Sequence, residues 1–326
     1  NLMYRGLLNA DLGIGSDGIL GGHLRLARAQ LAGPTSIPRP RASWDGEPGP
    51  VTIDGELDFA DIAEWSGADG NGAGDERSVD LPPYRIETLN VTQALLGDFV
   101  IPDVLVSGSS DDSELRLAFS SATASGELVV PEESITELLL TEFVYVDPDF
   151  ESVDDDASAS LFADAVSEVR PPEPVVDPLT PELMSSLQDM KVQINSLSVD
   201  GEDYGSWAFD ILRVPEGIAF KSLDARLKGV RVESEDGVLW TRADDRTAFV
   251  GSMTADDMGE VLEAWGYARS IETESMLTNA SVSWPGSPLN FELLQLRGDI
   301  ASGVKNGRFL EVTSGGNALR IFSLLN

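Results

Sequence analysis

Apolar side chains recur at alternate positions along much of this chain, and a period of two is satisfied only by extended backbone. In Leu115-Arg116-Leu117-Ala118-Phe119 three large apolar groups share one face. The same alternation recurs at Leu128–Val130, Leu138–Leu140, Phe143–Tyr145, Trp207/Phe209/Ile211, Leu223/Ala225/Leu227 and Phe291/Leu293. Turn residues punctuate these runs: Asp200-Gly201, Pro215-Glu216-Gly217, Glu235-Asp236-Gly237, Pro285-Gly286 and Asn306-Gly307. Short amphipathic strands joined by such turns predict a mainly β fold, an antiparallel meander with one apolar and one wet face.

Two stretches break the pattern. Ser66–Asp80 is rich in Gly and Asp and reads as a mobile loop. Residues 147–181 are acidic and Pro-rich, with Asp154-Asp155-Asp156 and Pro171-Pro172-Glu173-Pro174, and read as a linker. Within them Leu161, Phe162, Ala165, Val166 and Val169 have helical spacing. The boundary placed here divides the chain into an N-terminal β segment (1–146), the linker (147–181) and a C-terminal β segment (182–326). A weak internal repeat supports a modular β architecture: Ile53-Asp54-Gly55-Glu56-Leu57 resembles Phe249-Val250-Gly251-Ser252-Met253. Each copy is expected to run from a strand with a central Gly into a short helix bearing a Trp, Trp65 or Trp265. In the second copy Thr254 and Asp257 suggest the helix start, Met258, Val261, Leu262 and Trp265 its apolar stripe, and Gly266 its end, a helix near 256–265 that plugs one end of the sheet. A second helix, truncated, is expected near 318–326.

Chemistry is scarce. The 326 residues include 56 acidic and 22 basic side chains, a formal charge of −34. Such a surface repels phosphate backbones and anionic head groups, which sets aside nucleic-acid binding and membrane contact through a basic patch. Its plainest reading is adaptation to a salty medium. With no Cys there is no disulfide, thiol nucleophile or thiolate metal ligand. His23, the only histidine, follows Gly21-Gly22 in an apparent strand turn and reads as a structural or surface residue. No nucleophile elbow is present. Asp69–Glu76 lacks the alternating ligands and distal Glu of a calcium loop, and Gly13-Ile14-Gly15 lacks the rest of a dinucleotide fingerprint. Paired carboxylates for glycoside hydrolysis single out no pair. The chain is therefore read as non-enzymatic, with no cofactor and no metal. No run of apolar residues is long enough to span a bilayer, no signal peptide is visible, and both ends look cut, as in a fragment.

The apolar alternation has two readings. In a compact sandwich it faces a second sheet; in a long sheet that curls along its length it lines an open groove able to hold acyl chains, each buried CH₂ contributing about 0.8 kcal/mol. Periodicity does not separate them.

The second half resembles a known family. Leu223-Asp224-Ala225-Arg226-Leu227-Lys228-Gly229-Val230, then Val238-Leu239-Trp240, is similar to the C-terminal region of YhdP-type AsmA-like proteins. So are the stretch from Asp256 to Tyr267, Ser283-Trp284-Pro285-Gly286-Ser287-Pro288, Leu296-Arg297-Gly298-Asp299-Ile300, Asn306–Val312 and Ala318–Asn326. Residues 1–180 match in style only, as Gly-punctuated strands. The resemblance implies a long periplasmic protein, anchored to the inner membrane by a helix outside this fragment, whose β body forms an extended hydrophobic groove carrying phospholipid between inner and outer membranes. It brings no catalytic residues. The fold it implies is a long curved antiparallel sheet, an open groove, with a few short amphipathic helices. The lining residues expected on that basis are Leu117, Phe119, Leu138, Leu140, Phe209, Ile211, Leu227, Phe249, Val282, Phe291 and Leu293, with phospholipid as the partner. The rival is a structural or interaction β-module with a closed core, whose acidic face binds partners or calcium.

Overall fold

The alternating segments become strands. The computed structural model describes residues 2–4, 8–15, 18–26, 49–61, 83–96, 99–111, 113–146, 188–291 and 293–310. The N-terminal strands are β1 (Leu2–Tyr4), β2 (Leu8–Gly15), β3 (Gly18–Leu26), β4 (Val51–Leu57), β5 (Ala60–Asp61), β6 (Tyr84–Leu96), β7 (Phe99–Ser110), β8 (Glu114–Ser120), β9 (Ala124–Pro131) and β10 (Thr136–Tyr145). Then come β11 (Met190–Ile194), β12 (Leu197–Val199), β13 (Glu202–Asp203), β14 (Ser206–Val214), β15 (Gly217–Leu227), β16 (Val230–Ser234), β17 (Val238–Thr241) and β18 (Arg246–Ala255). The chain continues through helix α1 (Met258–Ala264), β19 (Ile271–Glu272), β20 (Ser275–Pro285), a single 3-10 turn (Leu293–Gln295), β21 (Arg297–Lys305) and β22 (Arg308–Phe309). Twenty of the described strands belong to one curved sheet, and β19 pairs with β22 apart from it.

Most neighbours are antiparallel, as the turn residues predict. Asp200, Gly201, Gly237, Gly286 and Asn306 all take positive φ at their turns. A tight turn at Lys228-Gly229 (φ 44° and 82°) also sets Leu227 opposite Val230. Two successive left-handed residues match the strand twist across a two-residue hairpin.

The expectation of a purely antiparallel sheet is corrected at two seams. β3, β4 and β6 run parallel, and β10 runs parallel to β11 and β12. Parallel neighbours cannot be joined by a hairpin and need a long connection. The connections are residues 27–50, 62–82 and 147–187, which include the Gly/Asp-rich stretch and the acidic Pro-rich one; both, with the helical spacing of residues 161–169, lie outside the described residues. The helix expected at Trp65 and the one near 318–326 also lie outside them. Across the second seam the strands on either side of residues 147–181 hydrogen-bond into the same sheet. The two copies of the internal repeat are both strands, β4 and β18, but β4 has parallel neighbours where β18 has antiparallel ones.

Helix α1 lies where the second repeat copy places it. Its N-cap is Asp257, whose carboxylate accepts from the Gly259 N–H at 2.9 Å, while Thr254 lies within β18. Trp265 is the C-cap and Gly266 (φ 76°) lets the chain leave. The helix meets the end of the sheet at the Lys228-Gly229 turn, where Val261 lies within contact of Gly229. Arg269 pairs with Asp257, Glu263 and Glu272 around it.

Three apolar clusters, on β4–β7, on β11–β17 and on β18–β20, form the core.

Candidate functional site

Strand register carries the apolar side chains across the sheet in rows. One row runs Thr136, Met190, Ile211, Phe220, Val238, Phe249, Val282, each directly opposite the next, and Leu115 opposite Val130 extends it one step beyond the Val129–Glu137 pair. Beside it run Leu117, Leu128, Leu138, Val192 and Phe209. A third row follows Val106, Phe119, Gly126, Leu140, Ile194, Trp207, Ala225, Val232 and Met253. The first row crosses nine strands, hence eight spacings of about 4.8 Å, or roughly 38 Å.

Two irregularities keep the rows in phase. A bulge between Leu140 and Glu142 puts Phe143 on the same face as Leu140, opposite Ala124 and Leu197. A second register shift lies between Ala208 and Asp210, facing Ser222 with its positive φ of 53°, so that Phe220 and Leu223 share the face. Without these extra residues every side chain beyond them would turn to the other side.

The face is not uniform. Over β11–β17 it is packed: Ile218 and Trp240 are 0% exposed, and Val192 and Ile211 are buried with them. The Trp240 indole donates to the Asp245 carboxylate at 2.9 Å, and Phe209 meets Phe220 edge to face at 5.9 Å. Val282 and Trp284 are likewise buried. Over β8–β10 the same face is only half-buried, with Leu115, Leu117, Phe119, Leu128, Val130, Leu138 and Leu140 all partly open to solvent.

Of the expected lining residues, Leu117, Phe119, Leu138, Leu140, Phe209, Leu227 and Phe249 are half-buried, whereas Ile211 and Val282 are core. Phe291 and Leu293 are not on a strand. Phe291 lies in the loop after β20, edge-on to Trp284 at 5.3 Å, and Leu293 opens the 3-10 turn, its side chain outside the described ones. The reason is local. The Thr247 hydroxyl donates to the Gly286 carbonyl at 2.7 Å and the Trp284 indole to the Ser287 carbonyl at 3.0 Å, which folds the loop back over the buried Ser287. Leu115, Leu128, Val130, Ile194, Trp207 and Val238 belong to the same rows though they were not among the expected lining residues; alternation already marks Leu115, Leu128, Val130 and Trp207, and pairing register adds Ile194 and Val238.

The opposite face is polar and ion-paired. Arg116 bridges Glu114 and Glu127 at 3.0 and 2.5 Å, and those hydrogen bonds, Glu127 first, raise the Arg116 pKa. Arg231 pairs with Asp224 at 2.9 Å, an interaction that lowers the Asp224 pKa. A recess of about 530 Å³ on this side is lined by Glu233, Glu235, Asp236 and Asp299 among others. His23 sits within β3, not in a turn; its Nε2 is 2.6 Å from the Asp54 carboxylate, which also accepts from Arg25 at 2.8 Å. Among the described residues no group of His, Cys, Asp and Glu is arranged to hold a metal ion, and no helix is long and apolar enough to cross a membrane.

A mainly β sheet with one continuous apolar face is the architecture that the sequence resemblance implies, and the family comparison is direct: the model of the YhdP protein family matches residues 11–326. The chain belongs to the YhdP family. The match takes in the first half, where the sequence resembles the family in style only. No curated protein and no solved structure matches. At the level of the family, YhdP membership suggests an envelope protein concerned with lipid transport.

Proposed function

We propose that this YhdP-family segment holds phospholipid acyl chains against its apolar face and passes lipid along the sheet, in the periplasm, between inner and outer membranes. On this reading it is not an enzyme and needs no cofactor. It is part of a longer protein anchored to the inner membrane through regions beyond these residues. The observation that carries the reading is the half-buried patch over β8–β10, where Leu115, Leu117, Phe119, Leu128, Val130, Leu138 and Leu140 share one face. A face that needed only to be a core would be closed there, as it is at Trp240. Lipid tails would complete the burial, each CH₂ adding about 0.8 kcal/mol, while head groups stay in water.

The complete burial of Ile218 and Trp240 favours a second reading for β11–β17, a closed structural module of the envelope with no lipid. Native mass spectrometry of the purified chain with lipid extraction decides between them. Recovery of bound phospholipid, lost on Phe119→Asp, supports the conduit. A chain that carries no phospholipid after exposure to phospholipid micelles overturns it.

A further inference from the structure

At one rim of the apolar face a positive charge sits between two aromatic rings. Tyr204 and Trp265 meet edge to face, centroids 6.3 Å apart at 88°. The Lys228 ammonium is 4.6 Å from the Tyr204 ring centre and 5.0 Å from that of Trp265, and it also pairs with the Glu202 carboxylate. Two ring faces and a carboxylate are the elements that select an ammonium group. The Lys228 side chain is only 11% exposed, whereas Trp265 is 40% exposed, so one wall of the box faces solvent. The box adjoins the rows: the Trp207 indole, on the apolar face, donates to the Tyr204 carbonyl at 2.9 Å, and Leu227 directly precedes Lys228. Two pairs outward from Ala225 and Val232, past Arg226 and Arg231, comes Leu227 opposite Val230, then the Lys228-Gly229 turn. A tail running along β15 and β16, over the half-buried Val232 and Leu227 towards the Lys228-Gly229 turn, has this box at its head-group end.

We propose that the Tyr204–Trp265–Glu202 box is a head-group site for zwitterionic phospholipid with a primary ammonium, and that Lys228 fills it when no lipid is bound. The proposal rests on the acyl-chain reading above. When the lipid ammonium enters between the rings, the freed Lys228 ammonium pairs with the lipid phosphate, so one cation replaces another and charge stays balanced. An anionic lipid without an amine finds Lys228 but nothing for the rings, and meets Glu202 in a chain of charge −34. Because the box exchanges one cation for another, the discrimination is modest, about three- to tenfold.

The test is native mass spectrometry of the full chain after incubation in mixed micelles with equal phosphatidylethanolamine and phosphatidylglycerol of identical tails. Phosphatidylethanolamine should be retained over phosphatidylglycerol about three- to tenfold, and the ratio should fall to near one in Trp265→Leu. Tyr204→Leu, outside helix α1, should lower it equally and guards against simple loosening of the helix. Lys228→Gln vacates the box while keeping both rings, so the ratio should rise; a purely structural latch would lower the melting temperature and leave the ratio unchanged, which would overturn the head-group site. Free phosphoethanolamine in tenfold excess should leave the lipid bound, and its displacement of the lipid would overturn assignment to a lipid head group. Equal retention of both lipids by the native chain overturns the head-group site and leaves the acyl reading standing; retention of neither overturns both.

Discussion

The ring of Phe249 occupies the space that a side chain on Gly251 would need: a Cβ built there stands 2.5 Å from the Phe249 Cζ and 2.8 Å from the Glu233 carbonyl oxygen. The two residues are neighbours on the apolar face of β18, and Phe249 leans along its own strand to fill the gap.

Gly251→Ala should therefore act as overpacking, costing about 1–3 kcal/mol in chemical denaturation. Combined with Phe249→Ala, the loss should be less than the sum of the single effects, since the smaller residue removes the ring's share of the clash and leaves only the contact with the Glu233 carbonyl. Additive losses would show that the ring is not what excludes the methyl group.

The contrast between the packed and half-open parts of the face gives a second expectation. Trp240→Ala, at a fully buried site, should cost about 3–5 kcal/mol. Leu138→Ser, in the half-buried patch, should cost no more than about 1.5 kcal/mol, and Phe119→Asp, whose ring also packs against the β4–β7 cluster, about 1–3 kcal/mol, each abolishing lipid retention. Unfolding of the whole chain by Phe119→Asp would point to a closed core there.

Thr247 is buried and its hydroxyl is the donor that fixes the Gly286 carbonyl. Thr247→Val keeps the shape and leaves that carbonyl without its partner, so a loss of about 1–3 kcal/mol is expected. Hydrogen exchange should rise selectively over residues 286–291, which checks that the loop is held from this point.

Asp257 titrates below the ordinary carboxylate range because the backbone N–H groups of Gly259 and Thr273 donate to it, with the Arg269 charge adding to the effect. A depressed folded pKa means that its contribution is complete above the unfolded value of about 3.9 and is lost as pH falls from there through the folded value. Melting temperatures followed from pH 5 down to pH 2 should fall less steeply in Asp257→Asn than in the native chain. An identical slope would remove Asp257 from the acid response.

The strands and their turns were legible because a period of two and residues such as Asn306-Gly307 act locally. What escaped was non-local or depended on a single extra residue. Nothing in the alternation of Thr136–Tyr145 announces that its neighbour would be Met190–Ile194 in parallel, since that pairing is made by a connection and not by a turn. The extra residue at Thr141 shifts the phase between Leu140 and Phe143, so a strict period of two misplaces one of them. Phe291 and Leu293 alternate like strand residues, yet Thr247 and Trp284 hold the preceding backbone in a loop. Asp257, not Thr254, caps the helix because Thr254 is still paired in β18, opposite Leu277. The candidate face was legible in composition and half legible in detail: Leu117, Phe119, Leu138 and Leu140 follow from alternation, but the burial of Ile211 beside Trp240 is a packing outcome.

The seam between β10 and β11 has a kinetic consequence. Each antiparallel block can zip from its own hairpins, whereas the seam must wait for residues 147–187 to bring its two strands together, so it belongs to the late events of folding. Loop-closure entropy grows only with the logarithm of length, and halving that connection would change the seam by only about 0.6 kcal/mol. Length there is nearly free to drift, while the rows on either side are fixed to the residue.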